Sequence, residues 1–434
     1  MKRILTVVSA MLISLMLHAE GYQVNLLSAR QMGMGHVGSA LKLGSESMHF
    51  NPGALSLMNS NVDISAGVTG VISDIRYKNG DYKASTENPV STPLYLYAGF
   101  KIYDNLAAGI SFTTPYGSSL TWPSNWKGAH LIQEISLKSF FIQPTLSYRI
   151  TDKLSFGAGL VMAYGNVELS RALMPVGSLA GVNPAYADVV PVSATLNGDA
   201  SLRFGFNVGA IYDISEKVTV GISYRSKVMM KVKEGDAEIN YASEQIRSII
   251  GSIPSIVIPP LDEGTFTAEL PLPSNLNVGI AVRPNDRLEL SGELQFVGWK
   301  AYDELNLKFS QNVLNGYNIR AVKNYENTII YRVGGQYALT ERFDVRMGAY
   351  YDETPIQSDF YNPETPGQNK LGLSTGFSFR PYERFSIDAS FLYIHGIKRG
   401  GSYPDPRPTA PDNRFSGAYV SDVFVPSLGF SFCF

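Results

Sequence analysis

The sequence contains almost no cysteine and, beyond its first twenty residues, no long apolar run. Cys433 is the single cysteine among 434 residues, so an intramolecular disulfide framework and a thiolate metal cluster are both excluded. No apolar stretch of about eighteen residues follows residue 19, and the mature chain therefore offers no candidate transmembrane helix. Such a chain could span a bilayer only as a closed barrel of strands, in which every backbone polar group is paired.

Patterns that would indicate catalysis, a metal or nucleic-acid binding are also missing. The histidines show no ligand spacing such as His-x-x-x-His, so neither a metal nor a cofactor is expected. No Gly-x-Ser-x-Gly elbow occurs in a strand-to-helix setting, and no catalytic residue is assigned. With 36 basic and 38 acidic residues, the chain has no excess of positive charge for nucleic acid. A barrel enzyme stays open as an alternative because Ser, His and Asp are all present.

The N-terminus has the pattern of a secretory signal peptide. Lys2 and Arg3 precede an apolar run over residues 4–17, and the small residue Ala19 offers a cleavage site. The run is too short for a membrane-spanning helix, and a buried helix would fit poorly with two leading cations. We therefore predict that residues 1–19 are a signal peptide.

Apolar and polar residues alternate in many later segments, which is typical of half-buried strands. Successive strand residues face opposite sides, so one face is apolar and aromatic while the other carries Ser, Asp, Glu, Lys or Gly. The clearest segments are 218–224, 288–296, 343–351, 371–379 and 385–393. The abundance of Tyr (25), Phe (22) and Gly (40) suits an outer-membrane barrel with aromatic girdles and a polar lumen.

Short charged turns set the strand count. Six occur, at residues 103–105, 151–153, 215–217, 285–287, 340–342 and 382–384. If both ends lie in the periplasm, six turns alternate with seven longer loops, which requires 14 strands, and an even number is usual in bacterial barrels. The strands are predicted to begin near Asn61, Leu94, Asn105, Leu131, Lys153, Pro191, Lys217, Thr265, Arg287, Leu305, Thr328, Arg342, Lys370 and Tyr419.

The predicted fold is thus all-β, a transmembrane antiparallel β-barrel of 14 strands over residues 61–434. The intervening long loops are rich in Pro, Asn and Gly and are expected to face the outside. They cover residues 72–93, 116–130, 172–190, 234–264, 312–327, 355–369 and 395–418.

The last strand supports the same fold. Its aromatic residues alternate up to the C-terminal Phe434, which resembles the recognition signal of outer-membrane barrels. Phe430, Phe432 and Phe434 should face lipid, which would put Ser431 and Cys433 on the lumen side. The barrel assembly machinery is therefore an expected partner, together with outer-membrane lipid and lipopolysaccharide.

Residues 20–60 are rich in Gly, Ser and Ala and lack strand alternation. A barrel of 14 strands has a lumen wider than its own side chains can fill, so these residues are predicted to form an N-terminal hatch inside it. A disordered periplasmic tail is the alternative. Gly33-x-Gly35-x-x-Gly38 matches a dinucleotide fingerprint literally, but it has no βαβ unit around it and indicates only close backbone packing.

Several blocks of the sequence resemble the long-chain fatty acid transporter family (FadL). In the hatch they are residues 21–25, 33–40 and the motif Asn51-Pro52-Gly53-Ala54; in the barrel they are residues 114–117, 154–171, 351–355 and 393–396. The resemblance covers essentially the whole mature chain. One departure is Gly53, where the family usually has alanine, and glycine there should loosen the turn.

The resemblance implies passive uptake of hydrophobic molecules, most simply long-chain fatty acids. Extracellular loops would capture the ligand, a pocket in the barrel would hold it, and a gap beside a kinked strand would release it laterally into the membrane. Uptake of neutral aromatic hydrocarbons by the same fold is the alternative. A general porin is another rival, but it would leave the lumen open.

Two apolar loops and two cations are the candidate binding residues. The loops carry Leu173, Met174, Val176 and Leu179 in one and Ile246, Ile249, Ile250 and Ile253 in the other; exposed apolar surface of this kind favours ligand capture, although the loops could also pack on each other as a lid. For a ligand carboxylate, the resemblance implies Arg171 and Lys323. Arginine's planar fork suits a carboxylate, but either cation could instead pair with a lumen acid such as Glu289 or Glu293.

Overall fold

The computed structural model describes residues 22–253, 262–310, 318–405 and 411–434. The predicted signal peptide, residues 1–19, lies outside these described residues. Within them, no helix is long and apolar enough to cross a membrane.

The described chain is built almost entirely from β-segments. They are β1 (Val62–Thr69), β2 (Ile72–Asn79), β3 (Tyr82–Ser85), β4 (Leu94–Tyr103), β5 (Leu106–Thr113), β6 (Gly117–Thr121), β7 (Glu134–Arg149), β8 (Leu154–Ala172), β9 (Val192–Ser215), β10 (Val218–Arg225), β11 (Val228–Tyr241), β12 (Glu263–Leu272), β13 (Asn275–Asn285), β14 (Leu288–Val297), β15 (Glu304–Phe309), β16 (Asn318–Val322), β17 (Thr328–Ala338), β18 (Phe343–Asp352), β19 (Lys370–Tyr382), β20 (Phe385–Pro404) and β21 (Arg414–Cys433). The α-helices are α1 (Ala29–Met32), α2 (Ser47–Phe50) and α3 (Glu244–Gly251), and 3-10 turns include Pro52–Leu57 and Trp299–Ala301.

The strands close into an antiparallel ring. Its order is β1, β4, β5, β7, β8, β9, β10, β13, β14, β17, β18, β19, β20 and β21. β21 then pairs with β1, from Asp63 opposite Cys433 to Thr69 opposite Ser427. The prediction of a closed barrel of 14 strands is confirmed.

Several strands of the ring continue outward after a short break. β2, β6, β11, β12, β15 and β16 are the outer continuations of β1, β5, β10, β13, β14 and β17. Three of the breaks contain a residue that disfavours regular pairing: Gly70 between β1 and β2, Pro115 between β5 and β6, and Pro273 between β12 and β13. The long loops are therefore shorter than predicted, because strand structure extends into 72–93, 116–130, 234–264 and 395–418.

Two predicted strand starts need correction. The separate strand expected near Leu305 is wrong, because Glu304–Phe309 continues β14 and pairs with β12 and β16. None of the predicted starts corresponds to β20, which begins at Phe385, although residues 385–393 alternate clearly. The two errors cancel, so the total of 14 was correct.

The two faces of the barrel differ as the alternation predicted. Phe430, Phe432 and Phe434 are 43%, 40% and 54% exposed on the outer surface, whereas Ser431 between them is buried. Cys433 also lies on the inner face, where its Sγ contacts Asp63 Oδ2 at 3.3 Å. Lipid-facing apolar side chains and inward polar ones are the arrangement that a membrane barrel requires.

Residues 22–60, the N-terminal segment, contact the inner wall on all sides. This segment meets β17 and β18 through Met34 and Gly35, and β8 through Pro52. The contacts are backbone to backbone: a Cβ at Gly334 would lie 2.1 Å from Met34 O, and one at Gly348 would lie 2.1 Å from Gly35 N. Only glycine allows so close an approach, so the inner wall is shaped to fit the segment.

Candidate ligand-binding site

An apolar cavity lies in the outer part of the lumen. We call it the outer cavity. Inward-facing apolar residues of six β-segments line it, among them Leu137 of β7, Leu169 of β8, Leu196 of β9, Met230 of β11, Phe266 of β12 and Leu307 of β15. This apolar lining suits a hydrophobic ligand.

The local sequence explains why these side chains point inward. On β9, Ala194 and Leu196 are buried while the intervening Thr195 is more exposed. On β12, Phe266 and Ala268 are buried, whereas Glu269 turns outward and pairs with Lys231. In these outer segments the apolar face is therefore the inner one, which is the reverse of the lipid-facing part of the barrel.

Aromatic residues and the start of the N-terminal segment close the inner end of the outer cavity. Tyr22 stands edge-on to Trp299 and Tyr302, with ring centroids 5.0 and 5.7 Å apart, and its hydroxyl donates to the carbonyl of Pro271. Its own carbonyl accepts from Gly117 N at 3.0 Å. The N-terminal segment is thus hydrogen-bonded to the barrel strand at the break between β5 and β6.

The two predicted cations lie beside this cavity and are not among its lining residues; the Nζ of Lys323 lies 5.8 Å from the ring centroid of Tyr302. Lys323 is completely buried, and its Nζ donates to Glu364 Oε2 at 2.8 Å. Glu364 itself lines the cavity. Arg171, two residues beyond the lining residue Leu169 on the same face of β8, interacts electrostatically with Glu364 and Tyr403.

The two acids that the sequence suggested as partners of Arg171 and Lys323 form ion pairs with other residues. Glu289 pairs with Arg283 at 2.6 Å and Glu293 with Arg332 at 2.9 Å. The partner of Lys323 is Glu364, which the sequence did not single out because it lies in a loop without any periodic pattern.

Lys323 remains protonated and positively charged although it is buried. Burial lowers the pKa of the amine, but the Glu364 carboxylate and the phenols of Tyr403 and Tyr325 raise it, and the pKa ends above its usual range. In the described residues no carboxylate lies within 4.0 Å of Arg171, and the acid that interacts with it electrostatically is Glu364, the partner of Lys323. The two cations therefore share one carboxylate. This cluster carries a net positive charge next to an apolar cavity.

The two apolar loops pack mainly on each other. Leu179, Ile246 and Ile250 are buried in one cluster, and Leu173, Met174, Ile249 and Ile253 pack against it. Val176 instead packs on the main core. α3 begins at Ser243, whose Oγ accepts from Ile246 N, and its isoleucines then share one face. None of the eight predicted loop residues is strongly exposed, and the structure brings seven of them together in one apolar cluster.

The motif Asn51-Pro52-Gly53-Ala54 joins the N-terminal segment to the wall. The Asn51 amide donates to Ser39 O at 2.6 Å and to Ala210 O at 2.9 Å, and its Oδ1 accepts from Gly53 N. Pro52 starts the 3-10 turn, and Ala54 is buried. A Cβ on Gly53 would lie 2.8 Å from Gly209 O, so glycine at this position permits close docking on the wall.

A second cavity lies on the other side of residues 22–25. We call it the inner cavity. Polar side chains from several strands line it, including Asn207, Arg225, Asn277, Glu293 and Arg332. Sequence reasoning missed it, because inward polar residues are expected throughout a barrel lumen. In the described residues no group of His, Cys, Asp and Glu could hold a metal ion.

A closed membrane barrel with an apolar cavity inside its lumen defines an outer-membrane transport protein. The chain belongs to the family described as outer membrane protein transport protein (OMPP1/FadL/TodX), whose family model matches residues 10–434. The protein is therefore an outer-membrane transporter of hydrophobic compounds in a Gram-negative bacterium. This family consists of transporters and channels rather than enzymes.

The chain is similar to curated relatives and to solved structures over most of its length. The chain is 25% identical over 414 residues to a long-chain fatty acid transport protein of Escherichia coli O6:H1, covering 90% of each chain. A Pseudomonas aeruginosa FadL homologue has the same fold, with a TM-score of 0.78 and 22% identity, over 96% of this chain and 100% of that one. The P. putida toluene transporter TodX also has it, with a TM-score of 0.72 and 18% identity, over 96% and 99%.

Proposed function

We propose that this protein takes up long-chain fatty acids passively, with the alkyl chain in the outer cavity and the carboxylate at the cluster of Arg171, Lys323 and Glu364. The cluster carries the proposal, because a net positive charge beside an apolar cavity complements a long chain that ends in one carboxylate. Arg171 is the better contact for the ligand, since Lys323 already binds Glu364.

The route before and after binding follows from the same geometry. The loops with Leu173, Met174, Val176 and Leu179 and with Ile246, Ile249, Ile250 and Ile253 would separate to admit the ligand and then cover it. Release would be lateral, beside a kinked strand; the break between β5 and β6, next to Tyr22, supports this location. No energy source or cofactor is required.

The proposed organisation of the chain completes this function. Residues 1–19 would be the signal peptide, residues 20–60 the hatch with the motif Asn51–Ala54, and residues 61–434 the barrel. The hatch is supported by the backbone contacts of the N-terminal segment with the wall. Phe434, exposed at the end of β21, supports recognition by the barrel assembly machinery, and lipid and lipopolysaccharide would surround the outer surface.

Uptake of neutral aromatic hydrocarbons is the second candidate. It is favoured by the ion pair of Lys323 and Glu364, which neutralises one cation before any ligand arrives. A toluene transporter of the same fold supports this alternative. The two candidates differ in whether the ligand needs the charge of Arg171.

Binding of radiolabelled oleate to the detergent-solubilised protein tests the proposal. Arg171→Ala should weaken binding by about 1.5–3 kcal/mol, the usual contribution of a hydrogen bond to a charged group. Arg149→Ala, at the inner end of β7 and outside the linings of both cavities, is the matched control and should bind normally. Glu364→Gln removes the competing carboxylate and should strengthen oleate binding while leaving toluene binding unchanged.

Two results would contradict the fatty-acid proposal. Oleate binding that is unchanged in both Arg171→Ala and Glu364→Gln would place the head group elsewhere. Saturable binding of toluene without any binding of oleate would transfer the function to neutral hydrocarbons.

A further inference from the structure

The inner cavity contains a buried cation without an acidic partner. Arg225 is 7% exposed and lines the cavity. Its guanidinium donates to Gln143 Oε1 at 2.9 Å and to His49 O at 3.0 Å, and contacts His49 Nδ1 at 3.1 Å. All these partners are neutral acceptors, and in the described part of the chain no carboxylate lies within 4.0 Å of this side chain.

The other ionisable groups around the inner cavity do not compensate this charge. Glu293 is held by Arg332 and also accepts from the backbone N–H groups of Gly38 and Ser39. Burial, together with nearby arginines, lowers the pKa of His36 and of His49 well below the usual value, so both are neutral. The cavity therefore holds one uncompensated positive charge.

One unused donor belongs to a residue of the same lining. The buried Nε of Arg332 has no hydrogen-bond partner among the described residues, and Arg332 lines the inner cavity. An orphaned donor on a residue that is 5% exposed is costly unless a ligand or water satisfies it.

A structural role alone is a weak explanation for Arg225. A neutral amide could donate to Gln143 and to His49 O without the desolvation cost of a buried charge, which is several kcal/mol for an unpaired ion. Buried charges inside membrane proteins more often mark the path of an ion or a substrate. The unbalanced charge thus indicates a site for an anion.

Only a thin partition separates the two cavities. Tyr22 lines the outer cavity, whereas Gln23, Val24 and Asn25 line the inner one. Two backbone hydrogen bonds attach this piece to the barrel strand, from Val24 N to Pro115 O at 2.8 Å and from Gly117 N to Tyr22 O at 3.0 Å. Displacing residues 22–25 would join the cavities into one path, with the cluster of Arg171 and Lys323 beside the outer cavity and Arg225 in the inner one.

We propose that the inner cavity is a second carboxylate site, at which Arg225 binds the head group of a fatty acid after it leaves the outer cavity. This inference rests on the proposed function, because it takes the same ligand class. It adds a charged residue that the outer site does not use. The ligand's carboxylate then moves between two fixed cations and does not have to lose its charge inside the barrel.

Carbon-13 NMR of oleate labelled at its carboxyl carbon tests the second site on the solubilised, full-length protein. At saturation we expect two bound carboxylate resonances. Arg225→Gln should weaken the inner site about tenfold or more, the effect expected for a charge-assisted hydrogen bond, and should remove one resonance. Arg171→Ala should remove the other. Arg149→Gln is the matched control and should keep both, and methyl oleate should produce neither carboxylate signal.

The outcomes separate the two proposals. A single resonance that depends only on Arg171, or two resonances that persist in Arg225→Gln, would overturn the second site and leave the proposed function intact. No bound carboxylate in the unaltered protein would overturn both. If Arg225→Gln does not fold, judged by heat-modifiable gel mobility, Arg225→Lys decides: it keeps the cation, so the second resonance must persist with a changed chemical shift.

Discussion

The inward-facing positions of β7 change character between the two ends of the strand. At the outer end, Ile135 and Leu137 line or border the apolar cavity. At the inner end, Gln143 donates to Met48 O at 2.7 Å and Ser147 donates to Gly53 O at 3.1 Å. One continuous strand thus forms a ligand-binding wall and a docking wall for the N-terminal segment, and only the residue type at alternate positions distinguishes them.

This difference separates two requirements of a transporter. The outer part binds by apolar contact, which has little directional preference and allows a flexible ligand to slide. The inner part is held by hydrogen bonds and buried ion pairs, which fix one arrangement and are costly when incomplete. Ligand affinity and closure of the lumen can therefore be altered independently.

The largest effect on stability is expected from replacing Glu293, which lies in the hydrogen-bonded inner part of the barrel. Glu293→Gln leaves Arg332 buried without a counter-charge and weakens the bonds to Gly38 N and Ser39 N. Loss of one partner from a buried pair typically costs about 3–5 kcal/mol. Urea-induced unfolding in detergent micelles should show a decrease of this size in the free energy of unfolding.

Glu289→Gln is its control on the same strand. Glu289 pairs with Arg283, but both side chains are about a quarter exposed, and such pairs usually contribute about 0–1 kcal/mol. Equal losses of unfolding free energy in the two variants would mean that the buried pair of Glu293 and Arg332 stabilises the fold no more than the partly exposed pair does.

A smaller effect, on ligand binding, is expected from replacing Leu196 in the outer cavity with a polar residue. This residue is 5% exposed and lines the outer cavity. Leu196→Asn removes apolar contact and should weaken oleate binding by about 1–3 kcal/mol, the usual contribution of a buried leucine. Equilibrium binding to the folded, solubilised protein measures this. Leu202→Asn changes the lipid-facing side of the same strand and should leave the dissociation constant unchanged; a similar loss there would argue that the outer cavity is not the binding site.

The sequence predicted the barrel well because its signals are local. Alternation along 385–393 and the turn at 382–384 need no knowledge of distant residues, and both agree with β19 and β20. The separate strand near Leu305 was wrong because a local pattern cannot tell an outward continuation from a new strand. That difference depends on pairing with β12, which is distant in sequence.

The candidate site was less predictable for the same reason. Arg171 and Lys323 come from a family resemblance, and nothing in the sequence indicates that Glu364 lies between them. Arg225 ends β10, where it looks like any other lumen-facing charge. Its importance is that no carboxylate of the described residues lies within 4.0 Å of it, which only the three-dimensional arrangement of the strands reveals.

The smallest effect is expected at Gly53, where the N-terminal segment meets the wall. In Gly53→Ala, the new Cβ would lie 2.8 Å from Gly209 O and 3.1 Å from Ala210 Cα, and neither backbone atom can rotate away. Overpacking of this kind costs about 1–3 kcal/mol, but alanine also stabilises by about 0.4–1 kcal/mol through the unfolded chain. The net loss should be about 1 kcal/mol, with faster amide hydrogen exchange over Pro52–Leu57.

Gly292→Ala on β14 is the matched control for this change. The nearest atom to its new Cβ would be Arg332 O at 3.9 Å, so the substitution should be neutral or slightly stabilising and should leave hydrogen exchange in the N-terminal segment unchanged. If Gly53→Ala were as stable as Gly292→Ala, the turn would have room for a methyl group, and close docking at this position would not be what holds the segment against the wall. A loss confined to Gly53→Ala would instead make glycine at this position part of the fit between the inner wall and the N-terminal segment.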